Sequence, residues 1–381
     1  MESRLGQLDV YLGASEVSQS TLDVCYLVSC AVRGEIPDTG RVASMGLDAV
    51  YDISREHFLV SACATALESA GVTDERFVRE WGKAVRRTAL MDVERSRLFS
   101  LMDAAGVWHV PLKGCVLGGM YPAYGMRQMA DNDVLFDASR AEEVRDMMVS
   151  LGFTCEHYGS SNHDVYFKEP VCNFELHRKL FSLVSGERIY DYYADVERML
   201  VPDGAGTYGM HLTDEDLYVY IVAHAKKHFS GAGIGLRILF DTYVYVRERG
   251  GMMDWDYVRA ELTKLDLVEF EATCRDVATR LVDGEELSPE DLNLLAYLAD
   301  SGAYGTLSHQ VANNVARQGR LKYLVRRLFK PYKLMRIHYP VLDRLPVLLP
   351  MCWVIRMAKS LHTRRKVIFA EFETALGRNG M

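Results

Sequence analysis

The pattern of hydrophobic residues changes twice along the chain, and these changes limit the folds that it can adopt. Up to residue 105, apolar residues such as Leu22, Cys25 and Val28 recur every three or four positions, which is the period of an amphipathic helix. Between residues 106 and 200, short apolar runs alternate with turns, and helical spacing then returns. The sequence therefore predicts an α+β fold in which a small mixed sheet is flanked by helical regions.

Four regions follow from this pattern: a helical N-terminal region (1–105), an α/β core (106–200), a helical domain (201–316) and a basic helical tail (317–381). Within the core, strands are predicted at 107–112, 131–136, 164–168 and 171–177. Ser139 is a candidate cap for a helix over 141–151, and Gly152 stands where a left-handed residue ends such a helix. Thr213 and Pro289 mark two later helix starts.

Composition and charge exclude several classes of protein. The 381 residues are 49% hydrophobic and 25% charged, which is ordinary for a globular protein. The eight cysteines form no C-x-x-C pair, so a disulfide framework or zinc knuckle is not indicated and a cytoplasmic location is favoured. The N-terminus does not resemble a signal peptide, and no apolar run reaches the roughly 20 residues that span a bilayer.

The net charge of −8 is distributed unevenly. Residues 317–381 contain 15 Lys or Arg and 3 Asp or Glu, so this tail carries +12 and the rest of the chain −20. The favoured interpretation is a helix face that docks on the acidic body of the same chain. RNA phosphates and an anionic membrane surface are the alternatives. No RNA-binding motif is recognisable in the tail, and no DNA partner is expected.

Two carboxylates of one predicted strand provide the strongest local signal. Asp131 and Asp133 in Ala-Asp-Asn-Asp-Val-Leu-Phe would project from the same face, since residues two apart on a strand do so. Two such carboxylates repel each other unless a cation lies between them, and their oxygen atoms suit Mg²⁺ or Mn²⁺. Glu175 lies on another predicted strand and would complete a three-carboxylate cluster able to hold two cations about 4 Å apart.

A predicted turn between the first strand and a short helix carries Lys113, Gly114 and Cys115. Glycine allows the backbone to approach a phosphate, and a helix N-terminus offers free N–H groups. Lys113 would add a positive charge for a triphosphate, and Arg127 a bidentate phosphate contact. Each motif also has a structural interpretation: a surface turn for the aspartates, an ordinary turn for Lys113–Gly114, and an edge-strand carboxylate for Glu175. Their order within one compact unit favours a site.

Several residues outside this core have two interpretations of similar weight. His224 and His228 share a helix face but lack the Glu of a zinc-protease motif, so they are expected to line the nucleotide cleft or to form internal hydrogen bonds. Arg237 and Asp241 form either an intrahelical ion pair or a group in which Arg237 faces the triphosphate or the acceptor. His177 shares a strand face with Glu175 and is expected to support the carboxylates or to be a core-edge histidine.

These motifs resemble those of the polymerase-β-type nucleotidyltransferase superfamily, and most closely the bacterial family labelled uncharacterised nucleotidyltransferase. The resemblance covers most of the chain, and the residues that carry it are Pro111-Leu112-Lys113-Gly114, Tyr121-Pro122, Gly125, Arg127, Asp131-x-Asp133-Val134-Leu135, Glu175-Leu176-His177, His224, His228, Arg237 and Asp241. The superfamily's usual Gly-Ser is Gly114–Cys115 here, so a hydroxyl that would touch phosphate is missing. Lys113 is a candidate to replace it.

The resemblance implies transfer of a nucleoside monophosphate from an NTP such as ATP, with release of pyrophosphate. It implies Asp131, Asp133 and Glu175 as catalytic, metal-binding residues and Mg²⁺ or Mn²⁺ as cofactor. The acceptor, whether a small molecule, a protein or RNA, does not follow from it. The alternative is a non-catalytic nucleotide-binding or antitoxin-like partner protein that retains the fold. A third hypothesis is an RNA-modifying transferase that uses the basic tail.

Overall fold

The computed structural model describes residues 16–303 and 305–359 of the protein. Its helices and strands are α1 (Gln19–Arg33), α2 (Thr39–Ser44), α3 (Leu47–Glu56), α4 (Val60–Ser69), α5 (Glu75–Ala105), β1 (His109–Pro111), α6 (Gly114–Leu117), β2 (Asn132–Phe136), α7 (Ala141–Ser150), β3 (Thr154–His157), β4 (His163–Lys168), β5 (Cys172–His177), α8 (Glu187–Tyr192), β6 (Leu200–Pro202), β7 (Met210–Leu212), α9 (Asp214–Phe229), α10 (Arg237–Arg249), α11 (Trp255–Leu265), α12 (Val268–Asp283), α13 (Pro289–Ser301), α14 (Leu307–Gln318), α15 (Arg320–Leu328) and α16 (Tyr332–His338). This order confirms the α+β class.

The central sheet has the strand order β1-β2-β5-β4-β3. Strands β2 and β5 run parallel, and the other neighbours are antiparallel, so the sheet is mixed as predicted. All five residues of β2 are buried, and three of them, Val134, Leu135 and Phe136, are apolar. A strand buried on both faces requires such a run, because both sides of the sheet are covered.

Helix α5 connects the sheet to the helical part of the molecule. Its first half contributes Phe77 to the core of the helical regions, and its second half contributes Met91, Leu98 and Met102 to the core beneath the sheet. Polar contacts fix α5 to β2: the Asn132 side chain donates to the Met91 carbonyl at 3.2 Å and accepts from Arg95 at 2.8 Å. The start of β2 is therefore held in place from the face opposite Asp133.

The helices that precede the sheet in the sequence and those that follow it share one hydrophobic core. Helix α1 contacts α4, α10 and α12, and residues from Val24 to Leu298 belong to the same buried cluster. The N-terminal helices are thus packed on the helices that follow the sheet. The division of the chain into four regions at residues 105, 200 and 316 stays a prediction.

Most predicted element boundaries agree with the structure to within one or two residues. Gly152 has a φ of +84°, and Thr213 accepts a hydrogen bond from the Asp216 N–H, as expected for these end signals. The prediction for Ser139 was wrong: Asp137 accepts from the Ser139 N–H and caps a short 3₁₀ turn that runs into α7. Strands β3, β6 and β7 were not predicted, because each has only three or four residues and shows no alternation long enough to detect.

The described part of the tail contains α15 and α16, two 3₁₀ turns (Pro340–Asp343 and Pro346–Leu348) and a helical stretch from 349 to 359, the last residue described. It builds small clusters of its own, one of them around Met335, Leu342 and Cys352. Lys333 forms an ion pair with Glu187 of the body at 2.6 Å. None of the helices in the described part of the chain is long and apolar enough to cross a membrane.

Candidate active site

The three predicted carboxylates lie together where β2 begins beside β5. Asp133 is the second residue of β2, and Asp131 immediately precedes that strand. Glu175 stands directly opposite Asp133 in the parallel register of β2 and β5. Residues opposite each other on neighbouring strands project on the same side of the sheet, so Glu175 joins the aspartates. The structure thus brings Asp131, Asp133 and Glu175 into one cluster.

Asp133 is the most strongly bound of the three carboxylates. Its Oδ1 accepts from Lys113 Nζ at 2.6 Å and lies 2.8 Å from His177 Nε2, and the side chain is 6% exposed. Burial opposes ionisation, but the Lys113 ammonium and the His177 contact hold the pKa of Asp133 well below its usual range. Asp133 is therefore ionised at neutral pH, and Lys113 and His177 fix its orientation.

The pKa of Asp131 is shifted in the opposite direction to that of Asp133. Burial, together with the neighbouring Asp133 and Glu175 carboxylates, raises the pKa of Asp131 to about 7, and Lys113 and Arg237 oppose this shift only in part. A carboxyl group that is partly protonated near neutral pH is one whose negative charge is not fully compensated. A bound cation would supply that compensation, and the oxygen donors fit a hard divalent ion such as Mg²⁺ or Mn²⁺.

The turn that carries Lys113, Gly114 and Cys115 is tightly packed against the site. Lys113 has a φ of +45°, which costs a residue with a side chain about 1–3 kcal/mol and is offset here by its ion pair with Asp133. A Cβ on Gly114 would lie 2.9 Å from Arg127 Nη1 and from Met129 Sδ, so only glycine fits without movement. The Cys115 Sγ points back to Asn132 and to the Asp133 carbonyl, at 3.5 and 3.6 Å. Nucleotide binding by these three residues stays a prediction.

Arg127 and Asp241 form a buried ion pair beside this turn. Arg127 Nε and Nη2 donate to the two Asp241 oxygens at 2.7 and 2.9 Å, and the Tyr121 hydroxyl donates to Asp241 at 2.8 Å. Arg237 Nε lies 3.8 Å from Asp241, and Arg237 Nη1 donates to the Gln128 carbonyl at 3.1 Å. Arg127 thus makes its bidentate contact with a protein carboxylate. Of these two arginines Arg237 is the more exposed, at 26% against 7% for Arg127, and both interact electrostatically with Asp131.

One face of α9 closes the site on the other side. His224 Nε2 lies 3.2 Å from His228 Nε2, which fits the internal hydrogen bond, one of the two alternatives predicted for this pair. Burial and the Lys113 ammonium lower the pKa of His224 well below its usual value, so that its ring is neutral at physiological pH. Lys227 is on the same helix: burial and Lys113 lower its pKa, and the Glu175 and Asp133 carboxylates oppose that shift. The site therefore has cationic groups on two sides, Lys113 and Lys227.

Sequence reasoning missed two residues of this face, Tyr220 and Lys227. The Tyr220 hydroxyl is buried without a hydrogen-bond partner among the described residues. Burial raises the pKa of Tyr220, the Lys113 ammonium opposes this shift, and the three carboxylates add to it. A usable signal was present, because Tyr220 and Lys227 are four residues before and three after His224, and such positions share a helix face. His163, opposite His177 on β4, is a third addition to the site.

The sequence profile of a family described as uncharacterised nucleotidyltransferase matches residues 44–283, which are 240 of the 381 residues. The chain belongs to this nucleotidyltransferase family. The match includes every residue of the site described above and ends at the last residue of α12, so the basic tail lies outside it. No curated protein and no solved structure matches the chain.

Proposed function

We propose that this nucleotidyltransferase moves a nucleoside monophosphate from an NTP to an acceptor and releases pyrophosphate, with Asp131, Asp133 and Glu175 holding Mg²⁺ or Mn²⁺. The observation that carries the proposal is the cluster itself: Asp131 and Asp133 at the start of β2 and Glu175 on the adjacent parallel strand, with the pKa of Asp131 raised to about 7 by burial and by the other two. Such an arrangement favours a cation, because cations reduce the repulsion.

The reaction is an in-line displacement at the α-phosphorus of the NTP. The acceptor oxygen forms a bond to this phosphorus, the bond to the bridging oxygen of the β-phosphate breaks, and pyrophosphate leaves. A bound cation would neutralise charge on the α-phosphoryl group and the triphosphate. Glu175 binds the cation or accepts the proton of the acceptor, and Lys113, Lys227 and Arg237 face the triphosphate.

The test is label transfer and pyrophosphate release with the full chain, Mg²⁺ or Mn²⁺ and each of the four NTPs, with and without fractionated cell extract as acceptor. Asp131→Asn is expected to lower transfer by at least about a hundredfold, since it removes one electrostatic group from the reacting centre. Asp146→Asn is the matched control, because Asp146 is an exposed aspartate on α7. Equal transfer by Asp131→Asn and the control would refute the proposed role of Asp131.

A non-catalytic nucleotide-binding protein with the same fold is the competing function. It predicts that NTPs raise the melting temperature while no pyrophosphate appears with any nucleotide or extract fraction. The retained carboxylate cluster, with Glu175 opposite Asp133, argues against it, because a protein that only binds nucleotide does not need the third carboxylate.

The finer properties of the protein remain proposals. A bacterial origin, a cytoplasmic location and ATP as the nucleotide are predictions from the sequence. The contact between Lys333 and Glu187 supports docking of the tail on the chain's own body. Exposed apolar residues on α15, among them Leu321 at 77% and Val325 at 48%, alternate with exposed Lys322 and Arg326 and support an anionic membrane surface instead.

A further inference from the structure

Two histidines and a glutamate converge beside the carboxylate cluster. One ligand atom from each of His163, Glu175 and His177 lies within 4.8 Å of the others. His163 on β4 faces His177 on β5 in the antiparallel register, and Glu175 is two residues before His177 on the same face. The His163 Nε2 atom is 3.9 Å from Glu175 Oε1, and the His177 Nε2 atom is 3.7 Å from Glu175 Oε2. Rigid strands, and not loops, thus hold all three side chains.

These distances are close to those between ligands of one metal ion. Metal–ligand bonds of about 2.0–2.2 Å from histidine nitrogen and carboxylate oxygen leave neighbouring ligand atoms roughly 3–3.5 Å apart. The two Glu175 oxygens therefore need to approach the imidazoles by only a few tenths of an ångström. Asp133 Oδ1, 2.8 Å from His177 Nε2, is placed to provide a fourth ligand.

We propose that His163, Glu175 and His177 bind a first-row divalent transition ion such as Mn²⁺ or Zn²⁺ and give the transferase a preference for it over Mg²⁺. Imidazole nitrogen is a good ligand for these ions, whereas Mg²⁺ prefers an octahedral set of oxygen atoms. Glu175 lies between the two histidines and the aspartate pair. The inference therefore rests on the proposed function and specifies the class of metal ion that binds beside the histidines.

The protonation of the two imidazoles is consistent with ligation. The His177 side chain is only 4% exposed, and the Nδ1 atoms of His163 and His177 are buried without a hydrogen-bond partner in the part of the chain that the structure describes. A neutral ring carries its single proton on one nitrogen. When Nε2 directs its lone pair to the cation, that proton is on Nδ1, and the His177 Nε2–H contact with Asp133 Oδ1 at 2.8 Å is replaced by ligation of both groups to the cation.

A purely positioning role for His177 is the competing explanation, in which Nε2–H orients Asp133 and binds no metal. The two explanations differ in a spectroscopic property and not only in activity. A coordinated imidazole transfers unpaired spin density to its ¹⁴N nuclei, so pulsed electron paramagnetic resonance of bound Mn²⁺ detects the nitrogen directly. A histidine that only orients Asp133 gives no such signal.

The experiment uses the full chain loaded with Mn²⁺ alone. Nitrogen coupling is expected in the wild type, and His163→Gln is expected to reduce it and to weaken Mn²⁺ binding at least about tenfold, the lower bound seen even for residues that only support a metal ligand. His157→Gln is the matched control, because His157 is an exposed histidine of β3 in the same sheet. A hundredfold excess of Mg²⁺ is expected to leave the coupling in place.

The inference is overturned if no nitrogen coupling appears, if His163→Gln binds Mn²⁺ as the control does, or if Mg²⁺ displaces the ion. Its failure is distinguishable from failure of the proposed function. Nitrogen coupling without nucleotide transfer supports the metal site and removes the transferase proposal. Mg²⁺-driven transfer that depends on Asp131, without nitrogen coupling, does the reverse.

Discussion

Two clusters of buried charge lie beside the Lys113–Gly114 turn, and they differ in how completely their charges are paired. In the first, Arg127 meets both oxygens of Asp241, and Tyr121 donates to the same carboxylate. In the second, Asp131, Asp133 and Glu175 face Lys113, which contacts Asp133 at 2.6 Å. The first cluster satisfies its members with one another, whereas the second leaves Asp131 with a pKa raised to about 7.

Buried charges that are fully paired have a structural role, whereas a buried charge without full compensation is suited to binding. A buried ion pair with good geometry is a closed unit, and breaking it exposes the remaining charge to a medium that solvates it poorly. A cluster with an uncompensated carboxylate is stabilised when an external cation enters. A buried charge alone therefore does not identify a binding site. A buried charge that its neighbours do not neutralise does.

The largest expected effect on stability is in the paired cluster. Asp241→Asn leaves the Arg127 guanidinium buried without its anionic partner, and we expect the free energy of unfolding to fall by about 3–5 kcal/mol. Asp131→Asn, in the unbalanced cluster, is expected not to lower it at neutral pH, because it removes a charge that is repelled. Urea denaturation of both variants, each in EDTA, gives the two values.

A double variant sharpens this prediction. Arg127→Met combined with Asp241→Leu removes both charges and is expected to recover a large part of the stability lost in Asp241→Asn, since no unpaired charge remains. If Asp131→Asn is as destabilising as Asp241→Asn, the distinction between the two clusters is wrong.

The next effect concerns the pH dependence of stability in the unbalanced cluster. The pKa of Asp131 in the folded chain is about 7, above its ordinary value of 3.8, so the fold favours the protonated form. Its stabilising contribution is complete below about pH 4 and is lost as the pH rises towards 7. Asp131→Asn has no carboxyl group to ionise. In EDTA, the variant should therefore gain stability relative to the wild type between about pH 5 and about pH 8.

Comparing the two proteins at each pH removes the contribution of the histidines, which both contain. His177 and His224 have lowered pKa values and lose their stabilising contribution as the pH falls, in the wild type and in the variant alike. Saturating Mn²⁺ is expected to reduce the difference between the proteins at about pH 8, because it compensates the Asp131 charge. A difference that does not vary with pH would contradict the raised pKa.

The sequence was sufficient to predict the carboxylate cluster because Asp133 and Glu175 stand in strands with a clear apolar pattern and Asp131 directly precedes the first of them. Asp133 is followed by Val134, Leu135 and Phe136, and Glu175 lies between Phe174 and Leu176. Such apolar neighbours predict the strands, and residues two apart share a face. The fold class follows from the same alternation of helical and extended periods.

The partners of these residues were not predictable, because they depend on contacts between distant parts of the chain. Arg127 and Asp241 are 114 residues apart, and the pattern around Asp241 favours Arg237 of the same helix as its partner equally well. Strands β3 and β4 lie between β2 and β5 in the sequence, yet β5 pairs directly with β2 in the sheet. The position of His163 beside Glu175 therefore depends on the strand order. Local periodicity contains no information on that order.

The smallest expected effect is at Lys227, the second cationic side of the unbalanced cluster. Burial and Lys113 lower the pKa of Lys227, and the Glu175 and Asp133 carboxylates oppose that shift, so its ammonium is within electrostatic reach of the site. If it also faces the triphosphate, Lys227→Gln should raise the KM for NTP about tenfold, which corresponds to about 1.4 kcal/mol. The kcat should change less, because a contact present before and during the reaction contributes to binding.

Lys226→Gln is the matched control for this measurement. Lys226 is the neighbouring residue of α9, and its ammonium lies 4.7 Å from the centre of the Phe270 ring, which belongs to α12. A lysine in contact with an aromatic ring of the helical core is not expected to reach the triphosphate, so its replacement should leave the KM for NTP unchanged. Equal KM values for the two variants would show that Lys227 does not contribute to NTP binding and that Lys113 is the cationic residue of the cluster. A KM that rises only for Lys227→Gln would extend the unbalanced cluster to α9.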